Sequence, residues 1–224
     1  MGPLIRISPG ELAALRSLTL QIPGSVDPAA SCASWGPCAR HAFLLMVAEC
    51  ARFQRDLRAP AALYSRLLRT AERELHRDPG SDPSDLAARI DDGDRCPVCK
   101  SHAAPARDEG LDRAALARGA VEFQRFREET SRHWRRFVCA TCGGERRAVR
   151  CRRHLACDLR AGARPDVERQ RRMVEAIAGH LIRYARSFDW HHRGSETTED
   201  RAALIAAIGW SSGWRLLIGL PERR

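Results

Sequence analysis

The sequence predicts an all-α protein, an irregular helical bundle with a Cys/His metal-binding lobe. Three observations lead there. Apolar residues recur every three or four positions in segment after segment, capping sequences open several of those segments, and no stretch alternates apolar and polar residues with period two. With 224 residues, 44% of them hydrophobic and 29% charged, the chain is long enough to bury a core without covalent cross-links.

The elements follow in order. Ser8 to Glu11 reads Ser-Pro-Gly-Glu, a capping box with proline at the first helical position, and opens a helix through about Ile22. A second helix, Cys38 to about Leu57, is apolar nearly all round at Phe43, Leu44, Leu45, Met46 and Val47, which places it inside the bundle. After the Arg-Ala-Pro-Ala stretch at Arg58 to Ala61 comes a helix with Tyr64, Leu67, Leu68, Ala71 and Leu75 on one face. Prolines and glycine break the chain between Asp78 and Asp85, and a short helix then precedes the loop that carries Cys96 and Cys99. Beyond Gly110 the spacing of Leu116, Ala120, Phe123, Trp134 and Phe137 predicts one long helix ending at Phe137. The segment Cys139 to Cys157 holds too much cysteine, glycine and arginine to be helical throughout. Val174, Ile177, Leu181, Tyr184 and Phe188 predict an amphipathic helix over Pro165 to Phe188. Thr197 caps the next, and Gly209 to Leu220 supplies a last short helical piece. The chain therefore divides into a helical first half (residues 1–90), a metal lobe with its long helix (91–160), and C-terminal helices that pack on the bundle (161–224).

No apolar run approaches the roughly 20 residues of a membrane span, so no membrane partner is expected. The start of the chain lacks a basic segment followed by a long apolar one, which points to a cytoplasmic protein. In that compartment thiols stay reduced, so nine cysteines read as metal ligands or reactive thiols rather than disulfides. The net charge of +10 is almost wholly arginine, since Lys100 is the only lysine; that bias suggests first a GC-rich coding sequence and only second a partner that wants guanidinium forks, such as phosphate or carboxylate. The densest positive run, Glu145 to Arg172, is either the solvated face of the metal lobe or a grip for an acidic protein, a phosphate-bearing ligand or nucleic acid. Glycine-rich phosphate loops, HExxH, GxSxG and dinucleotide fingerprints do not occur.

Zinc takes four soft or borderline ligands in a tetrahedron, and a Cys-x2-Cys knuckle turns two sulfurs toward one point. The knuckles are Cys96 with Cys99 and Cys139 with Cys142; Cys151 with His154, and Cys38 with His41, are Cys-x2-His pairs that each open a helix, a faint internal repeat. Spacing leaves the partnership open. Cys96 and Cys99 join Cys151 and His154, or Cys139 and Cys142 in a site like that of a zinc ribbon; in a two-metal arrangement Cys139 and Cys142 join Cys38 and His41, or Cys32 completes a set with Cys38, His41 and Cys50. Gly143 and Gly144 suit the turn that follows a knuckle. Cys50, inside an apolar helix, reads as core, Cys157 trails behind the last pair, and the absence of a βαβ pattern counts against a redox dithiol at Cys96 and Cys99.

These same stretches, together with Ala59 to Leu68, Phe188 to Gly194 and the Glu199 to Trp210 segment, give the chain its resemblance to an uncharacterised bacterial family. Its members resemble two tandem halves, each with a CPxC knuckle and a closing Cys-x2-His, followed by an Asp-aromatic-Arg segment. The resemblance covers about four fifths of the chain and implies a helical fold and one zinc held by Cys96, Cys99, Cys151 and His154, with no activity attached. The first half departs from the pattern, since it has no knuckle before Cys32, while the second carries an extra one at Cys139 and Cys142.

A second class of function is a small zinc enzyme of a bacterial biosynthetic pathway. Cys32, Cys38 and His41 would form a three-ligand set with an open position, Glu49 follows His41 by two helical turns, and Asp189, His191, His192 and Arg193 would supply proton transfer. The plainer reading of that last segment is a helix end whose cations complement the dipole and whose Trp190 tucks under the core.

Overall fold

The computed structural model describes residues 7–20, 35–53, 56–76, 82–91, 96–100, 112–146 and 148–219. Of the eleven α-helices among them, the short α5 falls where a loop was expected and α6 with α7 where one long helix was, and no described residue lies in a strand. The order is α1 (Pro9–Leu20), α2 (Ala39–Phe53), α3 (Arg58–His76), α4 (Pro83–Ile90), α5 (Pro97–Lys100), α6 (Arg113–Glu129), α7 (Ser131–Trp134), α8 (Arg152–Arg160), α9 (Val167–Arg186), α10 (Thr198–Ser212) and α11 (Arg215–Ile218). No helix among the described residues is long and apolar enough to cross a membrane.

Local chemistry sets the ends. The Ser8 amide donates to Glu11 Oε2 at 2.8 Å and the Glu11 amide to Ser8 Oγ at 3.1 Å, the expected reciprocal box. α2 stops short of Leu57, and α3 starts earlier than expected, taking Pro60 into its first turn, where a missing amide proton costs no helical hydrogen bond. The long helix expected to reach Phe137 is interrupted at Thr130, with φ −99° and ψ 0°. There the Thr130 hydroxyl donates to the Phe126 carbonyl at 2.8 Å, so the side chain takes an acceptor that a continuing helix would use. The chain then resumes as α7 and a 3-10 turn.

The bundle is organised around α10. Every residue from Ala202 to Ser212 is buried, a helix apolar on all sides that must be covered on all sides. α9, α7 and α3 lie against it, α3 packs along α9, α2 along α6, and α4 along α8. Aromatic pairs lock these layers: Trp35 edge-on to Trp210, Trp134 stacked on Trp214 at 5.8 Å, and Phe126, Tyr184 and Phe188 in a row. Gly209 lets the Trp214 indole lie on the α10 backbone, since a Cβ there would come within 2.4 Å of the ring.

The two ends of α10 are fixed by polar groups. At its start, Asp200 accepts from the Thr197 amide and hydroxyl, from His180 Nδ1 at 2.8 Å and from Arg183 Nε at 3.0 Å, which ties α9 to α10. At its end, the buried Arg152 donates to the Ser211 carbonyl at 3.1 Å and to the Ile90 carbonyl at 2.6 Å, with its guanidinium over the Trp35 ring. Ser212 Oγ donates to the Pro37 carbonyl at 2.7 Å and receives the Tyr64 hydroxyl. One helix end thus gathers the approaches to α2, α3, α4 and α8.

Two outcomes follow. Gly209→Ala destabilises the protein by about 1–3 kcal/mol in chemical denaturation, because neither the indole nor the helix can give way easily. Asp200→Ala lowers stability by about 1–2 kcal/mol at neutral pH. Burial opposes ionisation of Asp200, but hydrogen bonds from Thr197 and His180 hold its pKa below the usual carboxylate range. A depressed pKa means stability that is complete above the ordinary carboxylate pKa and is lost as pH falls through the lowered one, so the difference between wild type and variant shrinks in acid.

Candidate metal centres

The two Cys-x2-His pairs are built alike. Cys38 and Cys151 each stand just before a helix and accept its first backbone hydrogen bond, from Ala42 at 2.8 Å and Leu155 at 2.9 Å. The histidine three residues on, His41 or His154, lies in the first turn on the same side as the cysteine, so sulfur and imidazole face one point. The knuckles are tight turns. Cys96 leads into the four-residue α5, and Cys139 leads into a 3-10 turn over Ala140–Cys142. Gly143 follows with φ 110°, and the Gly144 amide returns to the Cys139 carbonyl at 2.9 Å. A Cβ on Gly144 would lie 2.1 Å from the Val138 carbonyl oxygen, which explains why two glycines close this knuckle.

These parts assemble into two sets of four donors: Cys38, His41, Cys96 and Cys99, and Cys139, Cys142, Cys151 and His154. In the first, His41 Nδ1 lies 3.3 Å from Cys38 Sγ and 3.4 Å from both Cys96 Sγ and Cys99 Sγ, and the Cys38 and Cys99 sulfurs are 3.9 Å apart. In the second, His154 Nδ1 lies 3.3 Å from Cys139 and Cys151 and 3.4 Å from Cys142, with Cys142 and Cys151 sulfurs 4.0 Å apart. A tetrahedron with bonds of about 2.3 Å to sulfur and about 2.0 Å to nitrogen separates its donors by about 3.5–3.8 Å. Each set can therefore hold one metal ion.

Electrostatics say the same. With protons alone, three thiols and an imidazole this close cannot all be in their ligating forms. Cys38, hydrogen-bonded to Cys96, takes the proton and is pushed far up, while Cys38 and His41, working against burial, hold Cys96 down to about 3. In the second set the Cys139 and Cys142 sulfurs raise His154 to about 10, and Cys151 is driven up by the same two neighbours. A cation that displaces these protons removes the conflict.

The geometry corrects several expectations. The four ligands joined by the resemblance are divided: Cys96 and Cys99 meet Cys38 and His41, whereas Cys151 and His154 meet Cys139 and Cys142. Neither Cys96 and Cys99 with Cys139 and Cys142, nor Cys139 and Cys142 with Cys38 and His41, forms a set. Cys32 lies outside the described residues. Cys50 is buried core, and the exposed Cys157 is in neither set. No vacancy exists at Cys38 and His41, because the knuckle fills it. Asp189, His191, His192 and Arg193 are all exposed, and none of them belongs to either donor set. Their turn is held at Phe188, whose carbonyl accepts from Arg58, the first residue of α3, and whose ring lies under that guanidinium. Cys38 stands just before the start of α2, a helix of 15 residues and about 22 Å. Phe188, packed on Tyr184, anchors the turn, while Trp190 is 80% exposed rather than tucked under.

Two contributors were not foreseen. Glu11 appeared only as a capping residue, yet its Oε1 lies 3.1 Å from His41 Nε2 and pairs with Arg40. With Nδ1 turned to the thiols, Nε2 carries the proton and donates to Glu11, an orienting contact of the carboxylate–histidine type. Burial works against the Glu11 carboxylate, but hydrogen bonds from Arg40, Ser8 and His41 bring its pKa down to about 2. Glu49, the acid expected near His41, is two turns away and buried, which pushes its carboxyl up to about 7. Arg152, one residue after a ligand, gave no sign in sequence that it would be buried.

No protein-family model matches the chain, and no curated protein or solved structure is detectably similar to it. Fold and sites together define the class: an all-α protein with two Cys3His centres, each assembled from a knuckle and a helix start.

The pairing makes a stoichiometric prediction. Elemental analysis of purified protein gives two metal ions per chain. Cys38→Ser and Cys99→Ser each remove the same ion, so the double variant still keeps one, whereas Cys38→Ser with Cys142→Ser loses both. A single ion that disappears in both Cys96→Ser and Cys151→Ser would restore the pairing set aside above.

Proposed function

We propose that this chain is a cytoplasmic binding protein whose helical fold is stabilised by two structural zinc ions, and that the arginine-rich surface of the second zinc lobe grips a protein or phosphate-bearing partner. The completeness of both donor sets carries the zinc reading. Three thiolates and one imidazole suit zinc, and four protein ligands leave no position for substrate or water, as structural sites require. With Cys96 and Cys99 filling the first set, and Asp189, His191, His192 and Arg193 in neither set, nothing among the described residues favours the enzyme alternative.

The binding reading rests on charge. Part of the Glu145 to Arg172 run is spent inside the fold: Arg150 pairs with Asp158, Arg160 with Asp91, Arg171 with Glu168 and Glu175, and Arg152 is buried. Arg146, Arg164 and Arg169 are exposed and have no ion pair among the described residues, which leaves them for a partner's anionic groups. Nucleic acid is the narrower version of this reading, since no helix here is shown to offer side chains to a groove.

Two measurements test the proposal. A strong chelator at neutral pH lowers helicity and melting temperature, because zinc affinity in such sites is folding free energy; unchanged circular dichroism would refute the structural role. For the lobe, inorganic polyphosphate binds the native protein with an affinity that falls as salt rises, and Arg146→Glu, Arg164→Glu and Arg169→Glu together weaken binding by about tenfold or more. Equal binding by the triple variant would move the partner surface elsewhere.

A further inference from the structure

The two centres differ in how water reaches them. In the second, Cys139 is 0% exposed, Cys151 2%, and Cys142 half-buried. In the first, His41 and Cys96 are each 4% exposed and Cys38 is half-buried, but Cys99 is exposed, at the end of the four-residue α5. The exposed sulfur lies 3.9 Å from Cys38 Sγ. A helix of four residues has too few internal hydrogen bonds to hold its own position, so the ligands hold it, and the sulfur can travel the roughly 2 Å that a disulfide requires.

We infer that Cys99 is a modification site for peroxide-class oxidants, and that its oxidation against Cys38 releases the ion of the first centre while the second keeps its own. This rests on the metal reading of the preceding section. The chemistry balances without further reagents. Cys99 Sγ attacks one peroxide oxygen, the O–O bond breaks, and the departing hydroxide takes a proton to become water, leaving a sulfenic acid on Cys99. Cys38 Sγ then attacks that sulfur and the second oxygen leaves, protonated, as water. Two thiolates have lost two electrons, the peroxide has gained them, and the zinc stays divalent. A disulfide is a poor zinc ligand, and the two remaining donors, His41 and Cys96, cannot hold the ion in a closed site.

The consequence is local. Once its ion leaves, His41 is no longer oriented by Nδ1 coordination, and the contact through which Glu11 ties α1 to the start of α2 loses its anchor. α1, which also packs on α5 and α3, comes away with the first centre. Arg152, the Ser211 carbonyl and the second lobe are untouched, so most of the bundle persists. The protein then has a reduced, fully stapled form and an oxidised form with one end released.

The test uses the full chain in a Cys157→Ser background, which removes an exposed thiol that belongs to neither centre. Metal content is measured first; two ions per chain uphold the metal reading, and a metal-free protein would overturn both that reading and this inference. Hydrogen peroxide is then added with a colorimetric zinc chelator present, and peptides are mapped by mass spectrometry without reduction. The expected result is release of one equivalent about tenfold faster than the second, accompanied by a peptide cross-linked between Cys38 and Cys99. Release of both equivalents at one rate, a Cys96–Cys99 disulfide, or first loss from the centre of Cys142 and Cys151 would each overturn the inference while leaving the two-zinc reading intact. Reduction with dithiothreitol and added zinc restores the original stoichiometry if the change is the disulfide alone; failure to restore it would mean oxidation past the disulfide and contradict a reversible step.

Discussion

Burial of α10 is the constraint on which the rest of the molecule depends. A helix without a polar face from Ala202 to Ser212 has no stable place in water, so α9, α7 and α3 are obliged to surround it. Its two polar ends decide where everything else attaches. Asp200 binds α9 at the start, and at the finish Arg152 and Ser212 bind the segments that lead into the two metal centres. Arg152 directly follows the ligand Cys151, and the Pro37 carbonyl directly precedes the ligand Cys38. Both Cys-x2-His helix starts therefore register against one end of one helix.

That arrangement explains why metal ligation suits this fold. The pieces that carry the knuckles, α5 and the turn at Ala140–Cys142, are far shorter than a self-sustaining helix, and they bury little apolar surface of their own. Four bonds to a divalent cation would replace the packing they lack, with a free energy that in small zinc domains is on the order of 10 kcal/mol. The first centre joins chain positions about sixty residues apart, the second about ten, so one closes the bundle and the other shapes a lobe.

The helical class was legible because amphipathic spacing and caps act within a few residues: the Ser8–Glu11 box, the Thr197 cap and the Val174 to Tyr184 stripe all appear where local chemistry put them. Ligand types were legible for the same reason, since a Cys-x2-Cys or Cys-x2-His pair turns two donors together without outside help. Their pairing was not. It is settled by which helix ends meet at α10, a tertiary fact to which spacing along the chain is blind, and the nearer partner in sequence served only the second centre. Glu11, Arg152 and the break at Thr130 escaped for related causes. A capping glutamate has one oxygen left for a distant histidine, an arginine looks alike whether buried or exposed, and a threonine's bond to its own helix competes invisibly with continuation.

The most direct measurement of the central claim is X-ray absorption at the zinc edge of the purified, reduced protein. Two closed centres of the same kind predict an average first shell of three sulfurs at about 2.3 Å and one nitrogen at about 2.0 Å, with no water oxygen. A shell with two or more light atoms per zinc would mean an open or differently assembled site, and would contradict the proposal that two closed zinc centres staple helix ends around α10.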